Sequence, residues 1–226
     1  MAISRIANIP PLESGDRLTR SEFEHRYQAM SEIHKAELIE GVVYVASPVR
    51  ATQHGRPHAK IIVWLGTYSA ATPGVDVQDN ATVRLDADNE PQPDALLRIE
   101  PEVGGNSRIS DDDYIEGAPE LIVEIAASSA SYDLNDKLNA YRRNGVQEYI
   151  VWQIYENRLD WFSLQSGRYV TLQPDPTGVI HSQIFPGLWL SVVALQAGDL
   201  AGVLAVLQQA LRIPEHQAFV KRLRRQ

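Results

Sequence analysis

The chain has 226 residues, 44% of them hydrophobic, and 29 acidic against 21 basic side chains for a net charge of −8. That is enough apolar content for one full core and the wrong sign for a broad phosphate-binding surface. The absence of cysteine excludes disulfides and thiolate metal sites, so any metal must be held by oxygen or imidazole, a donor set suited to a hard divalent cation. No apolar run approaches the roughly 20 residues of a bilayer span, and the start at Met1–Ile6 is too short in apolar length for a secretory signal. A cytoplasmic protein with no membrane association is expected.

In chain order, Leu18–Glu24 predicts a helix with Thr19 or Ser21 as N-cap, running to about Ile33. Ala36–Ile39 and Val42–Ala46 flank Glu40-Gly41 and predict a hairpin. A helix starting between Ala51 and Pro57 and ending before Thr72-Pro73-Gly74 would bury Ile61, Ile62, Leu65 and Tyr68. Short strands are predicted over Val75–Gln78 and Thr82–Leu85, then a strand from Asp94. Gly104–Gly117 is polar and without periodicity, hence a loop. Leu121–Ala126, Ser131–Arg143 and Val146–Gln153 form a strand, a helix stopped by Asn144-Gly145, and a parallel strand. Leu159–Leu164, Arg168–Leu172 and Val179–Ser182 predict an antiparallel meander, Leu195–Leu211 one helix, and the basic stretch after Pro214 another. The Lys221–Arg225 tail is expected to be a solvated helix end.

The chemistry concentrates in Pro119–Val151. Glu124 interrupts the apolar run Leu121–Ala126, and a carboxylate in a buried strand needs a compensating charge. Pro93-Asp94 opens another apolar run, so two acids can meet at adjacent strand ends, the layout of a hydrolytic metal site for phosphodiesters. Asp133, Lys137 and Tyr141 recur at four-residue steps, along one helix face. An exposed ion pair worth a few tenths of a kcal/mol is the alternative for that spacing.

Six ordered blocks carry a resemblance: Glu37-Leu38-Ile39-Glu40-Gly41, Ser47-Pro48 with His54, Gln92-Pro93-Asp94, Gly117–Ile125, Asp133/Lys137/Tyr141, and Gly145–Tyr149. From about Ala36 to Leu190 the chain resembles the Uma family of restriction endonuclease-like proteins, within the PD-(D/E)xK nuclease superfamily. The resemblance implies an α/β (α+β) mixed sheet, a restriction-endonuclease-like core with flanking helices, over residues 36–192. A helical arm over 1–35 and a helical extension over 193–226 would flank it. It also implies a metal-dependent endonuclease acting on DNA, with Mg²⁺ (or Mn²⁺) held by Asp94 and Glu124 and helped by the Ile125 carbonyl.

Lys137 would replace the lysine that the superfamily carries where Ala126 stands here. Glu37 would be a further catalytic acid, and His54 and Tyr141 would contact substrate. The alternative is a catalytically silent member that binds nucleic acid or protein. A basic rim from Arg84, Arg98, Arg142 or Arg143 would favour a nucleic-acid backbone. Trp161, Phe162 and Trp189 are expected either as an exposed patch that could pair two copies into a homodimer or as residues that close the core of the single chain.

Overall fold

Thr19 begins the first element by accepting the Glu22 amide at 3.4 Å, which caps helix α1 (Arg20–Gln28). The computed structural model describes residues 9–30, 32, 35–46, 50–127 and 129–224. The helix expected to run to about Ile33 stops at Gln28, with Ala29 as its C-cap, and the Ser47-Pro48 block lies outside the described residues. The hairpin follows as β1 (Ala36–Ile39) and β2 (Val42–Val45), with Glu40 and Gly41 both at positive φ, 53° and 72°. That conformation suits the two-residue turn matching strand twist.

Next come α2 (Arg56–Ala71), β3 (Val75–Asp79), β4 (Val83–Arg84), β5 (Ala95–Ile99), β6 (Arg108–Ile109), β7 (Ile115–Glu116) and β8 (Leu121–Ala126). The crossover helix is α3 (Ala130–Tyr132) continued through a π turn into α4 (Leu138–Asn144), and Gly145 closes it at φ 85°. The chain ends as β9 (Glu148–Gln153), β10 (Arg158–Gln165), β11 (Arg168–Thr171), β12 (Val179–His181), β13 (Trp189–Ser191), α5 (Val192–Gln196), α6 (Leu200–Ala210) and α7 (Pro214–Leu223).

The central sheet has the order β11-β10-β9-β8-β5-β3, with β8 and β9 parallel and the other neighbours antiparallel. This is the mixed α+β sheet expected. β8 and β9 are buried along their whole length because both faces are covered. Ile61, Trp64, Leu65 and Tyr68 of α2 pack on one face with Val123, Ile125 and Leu97, and the same cluster takes in Leu195, Val203, Leu207, Phe219 and Leu223. On the other face Ile122, Ala126 and Leu96 meet Tyr141, Val146 and Tyr149. Alternation along β8 therefore assigns Glu124 to the α4 face.

Three further segments differ from the sequence expectation. The Gly104–Gly117 stretch holds the two-residue strands β6 and β7, which join β4 in a three-stranded sheet. Strands that short leave no periodicity to read. The buried Glu120 carboxylate ties this segment down by accepting the amides of Ile99 at 2.7 Å and Asn106 at 2.9 Å. The helix expected over Leu195–Leu211 is broken, because Gly198 turns at φ 77° and Asp199 caps a new start through the Gly202 amide at 2.9 Å. The third strand of the expected meander, β12, pairs instead with β13.

Of the aromatics expected as an exposed patch, Trp161 and Phe162 pack into the chain's own core, while Trp189 is only partly buried. Trp161 is fully buried, edge-on to Trp64 at 5.8 Å, and donates to Glu148 at 3.1 Å. Phe162 stacks on Tyr149, and Trp189 lies flat on His181 at 4.2 Å. Trp161→Ala is therefore expected to cost about 3–5 kcal/mol, the range for emptying a buried large aromatic, without altering the association state. Urea unfolding and light scattering on one sample measure both, and a change in mass without loss of stability would restore the exposed-patch expectation.

Candidate active site

The sheet register brings the two strand acids together. β5 and β8 pair with Ala95 opposite Val123, so continuing the ladder by one residue sets Asp94 opposite Glu124, and directly opposed side chains share a face. Asp94 Oδ2 accepts the Ile125 amide at 2.8 Å, which lays the carboxylate across β8. Both acids are buried, 4% and 3% exposed.

Lys137 gathers the remaining acids. Its Nζ lies 2.8 Å from Glu124 Oε1, 2.9 Å from Glu37 Oε1 and 3.8 Å from Asp133 Oδ1, and it is only 3% exposed. The exposed-pair alternative for this helix face is thus excluded. Tyr141 is fully buried, and its hydroxyl donates to Glu124 Oε1 at 2.9 Å. The residue expected at the substrate therefore touches the strand acid. Glu37 also accepts the Gln92 amide at 2.8 Å, linking the first hairpin to the turn that carries Asp94.

The helical segments that deliver these groups are irregular. Lys137 and Asp133 sit in the π turn Asp133–Lys137, and His54 sits in a second π turn, Ala51–Gly55, which leads into α2. One-turn π segments are rare and concentrate at functional sites. The first is pinned by Ser129, whose hydroxyl donates to Asp133 at 2.6 Å, and by Tyr149, which donates to the Asp133 carbonyl at 3.0 Å. In the second, His54 Nε2 donates to Asp94 Oδ2 at 3.0 Å, since a carboxylate can only accept.

Sequence reasoning gives no site role to three members of this constellation. Asp133 stands out in the sequence only by its spacing and proves to be the third acid around Lys137. His58, one helical turn beyond His54, faces both the Asp94 carbonyl at 2.6 Å and Asp79 Oδ1 at 3.0 Å. Lys35 reaches Asp94 Oδ1 at 3.4 Å and Asn80 Oδ1 at 3.2 Å. Nothing in the local sequence marks Lys35, because its partner lies 59 positions away.

The charges do not balance. Burial works against the Asp94 charge, but the His54 hydrogen bond, the charges of Lys35 and His54 and the Ile125 amide outweigh it and hold the carboxyl well below the usual range. Glu124 goes the other way. Burial pushes it up, and Asp94, Asp133 and Glu37 add to that against the pull of Lys137. Asp133 is raised as well, chiefly by burial. Burial opposes the Lys137 charge, yet Glu124, Glu37 and Asp133 together hold it well above the usual lysine range.

These shifts have one cause. Three buried carboxyls share a single ammonium, so with all of them ionised the cluster carries two negative charges more than Lys137 offsets. A divalent cation supplies that charge, and carboxylate oxygens are its preferred donors. By charge and donor chemistry the residues fit such an ion. Among the described residues no group of three or more His, Cys, Asp or Glu side chains already stands as a coordination shell.

The arginines considered for a basic rim are committed elsewhere. Arg84 pairs with Glu24 at 2.8 Å and Asp112 at 2.9 Å, and Arg98 holds Asp76 and the Ser107 carbonyl. Arg143 pairs with Glu40 and Asp86, and Arg142 donates to the Gly167 carbonyl.

Two substitutions separate these roles. Lys137→Met strands three buried acids and is expected to cost about 3–5 kcal/mol. Glu124→Gln removes part of the surplus. Because the folded-state pKa of Glu124, pushed up to about 8, exceeds its ordinary value of 4.5, its contribution to stability is present below 4.5 and lost as pH rises toward 8. The wild type should therefore lose stability across that window relative to Glu124→Gln. Unfolding midpoints measured through the window check both, and parallel pH curves would contradict the charge surplus.

The family model described as "Uma2: Putative restriction endonuclease" matches residues 20–193. A crystal structure from Anabaena variabilis, described as a "putative nuclease belonging to DUF820", shares the fold with a TM-score of 0.59. It is 14% identical and covers 77% of this chain and 97% of its own. A comparison with curated proteins matches none of them. No helix among the described residues is long and apolar enough to cross a membrane. With a family match over most of its length, the chain belongs to the Uma2 family of restriction endonuclease-like proteins.

Proposed function

We propose that the chain is a metal-dependent endonuclease that hydrolyses phosphodiester bonds of DNA. The observation that carries the proposal is the buried carboxylate surplus around Lys137, next to an ionised Asp94. Burying charge without compensation is costly, and a divalent cation relieves that cost while doing chemistry. On this reading residues 36–192 are the catalytic unit, flanked by 1–35 and 193–226.

Asp94 and Glu124, with the Ile125 carbonyl, would hold Mg²⁺, with Mn²⁺ as a substitute. The bound ion polarises a phosphate and lowers the pKa of a coordinated water. The protein groups have separate tasks. Lys137, held charged well above the lysine range, is in the wrong state to take a proton near neutrality. It therefore orients the attacking water and offsets charge on the phosphate. Glu37 positions Lys137 and ties it to the Asp94 turn. His54 holds Asp94 through Oδ2 and borders the substrate side, and Tyr141 acts through Glu124 as a positioning residue.

Cleavage of plasmid, linear duplex and single-stranded DNA with Mg²⁺ or Mn²⁺ tests the proposal. Wild type should nick or cut at least one of the three, and Asp94→Asn should lower the rate on the order of 10²–10⁴-fold at a temperature where the variant is still folded, its unfolding midpoint being lowered by the loss of the carboxylate paired with His54 and Lys35. Unchanged cleavage in Asp94→Asn would remove that residue from the site. Binding without cleavage under both metals would favour the catalytically silent module instead.

A further inference from the structure

Lys137 has a fourth neighbour besides its three acids. Its Nζ lies 5.3 Å from the centre of the Tyr132 ring, inside the roughly 6 Å over which an aromatic face attracts a cation. Tyr44 packs against that ring with 4.0 Å between centroids, and Tyr44 stands directly opposite Glu37 in the β1–β2 ladder. The ring is therefore fixed beside two members of the site. Tyr132 as a whole is only partly buried, so it lies at the edge of the cluster. Its hydroxyl oxygen is buried, yet makes no hydrogen bond to any described residue. A buried hydroxyl without a partner is destabilising, and packing alone would be served as well by phenylalanine.

Unpaired buried polar atoms gather at this site. Glu24, Arg84 and Glu90 carry such atoms but stand among ion pairs of their own. Of the four other side chains among the described residues that carry one, His54, Gln92 and Tyr132 border the site, through Asp94, Glu37 and Lys137 respectively. Only the phenol has a proton to give. Gln92 Oε1 can only accept, and neutral His54, whose Nε2 donates to Asp94, has a bare Nδ1. Burial pushes the Tyr132 hydroxyl up, with Glu37 adding to it, so the proton stays in place near neutrality. A fixed donor beside a buried ammonium is the pairing that suits an oxyanion.

We propose that the Tyr132 hydroxyl is a substrate contact, donating to a non-bridging oxygen of the backbone phosphate that Lys137 faces. This inference rests on the nuclease reading and deepens it by naming a further residue that grips the phosphate. The packing of Tyr44 sets the donor in advance, so binding does not have to order it.

Tyr132→Phe keeps the ring against Tyr44 and Lys137 and removes only the hydroxyl. It is compared with wild type, with Tyr44→Phe, which removes the neighbouring hydroxyl that holds Asp136, and with Tyr141→Phe, which breaks a hydrogen bond that the folded chain does make. Three quantities are read: the cleavage rate with Mg²⁺ or Mn²⁺, the affinity for a labelled short duplex and its single strand by anisotropy with Ca²⁺ in place of Mg²⁺, and the thermal midpoint. Tyr132→Phe should lower the rate or the affinity on the order of 10–100-fold, the loss of one hydrogen bond to a charged group, with the midpoint unchanged or higher. Tyr44→Phe should leave rate and affinity alone, and Tyr141→Phe should lower the midpoint.

A midpoint lowered in Tyr132→Phe as in Tyr141→Phe would overturn the contact, because the hydroxyl would then have a partner in the free protein. Equal losses of rate in Tyr44→Phe and Tyr132→Phe would overturn it in favour of packing within the aromatic pair. Unchanged affinity and unchanged cleavage in Tyr132→Phe beside an active wild type remove the contact and leave the nuclease. Affinity that falls in Tyr132→Phe while wild type cleaves nothing keeps the contact and removes the catalysis. Wild type that neither binds nor cleaves either strand form overturns both.

Discussion

One buried ammonium organises this protein. Lys137 stands between Glu37, Glu124 and Asp133, which come from the first hairpin, a central strand and the crossover helix. A lysine so deeply buried is tolerated only because acids surround it, and those acids are tolerated only because of the lysine. Together these ion pairs fasten the hairpin and the helix to the sheet at one point. They also leave the cluster with more carboxylate than its own cation offsets. Stability and the proposed chemistry therefore draw on the same atoms.

The backbone makes this arrangement possible in two ways. The antiparallel pairing of β5 with β8 aligns Asp94 with Glu124, while the parallel pairing of β8 with β9 requires a crossover helix that returns over the α4 face. Lys137 and Tyr141 lie on that helix and both meet Glu124 Oε1. The π turns then set which residues of the two helical segments point inward. Tyr149 donating to the Asp133 carbonyl and Ser129 donating to its carboxylate hold one of them in place.

Much of this is legible in the sequence because it depends on local patterns. The strand around Glu124, the glycine stop at Gly145, the parallel strand after it and the four-residue spacing of Asp133, Lys137 and Tyr141 are short-range signals. The ordered family blocks join Glu37, Asp94 and Glu124 across long separations that no periodicity could bridge. What escapes is equally physical. Lys35 and His58 reach Asp94 through contacts that exist only after the sheet has formed, and the two-residue strands β6 and β7 carry no alternation. Trp161 reads as surface-bound because its covering, the α2 helix with Trp64, lies about 100 residues earlier along the chain and cannot be inferred from the meander itself.

The central claim is that the acids around Lys137 carry negative charge that a divalent cation neutralises. Calorimetric titration of the protein with Mg²⁺ in buffers of different ionisation enthalpy tests it most directly, because a carboxyl with a raised pKa must release its proton when the metal displaces it. The account predicts saturable binding with proton release that diminishes as pH rises past about 8, the value toward which Glu124 is pushed. Absence of Mg²⁺ binding, or binding with no dependence on buffer, would contradict it.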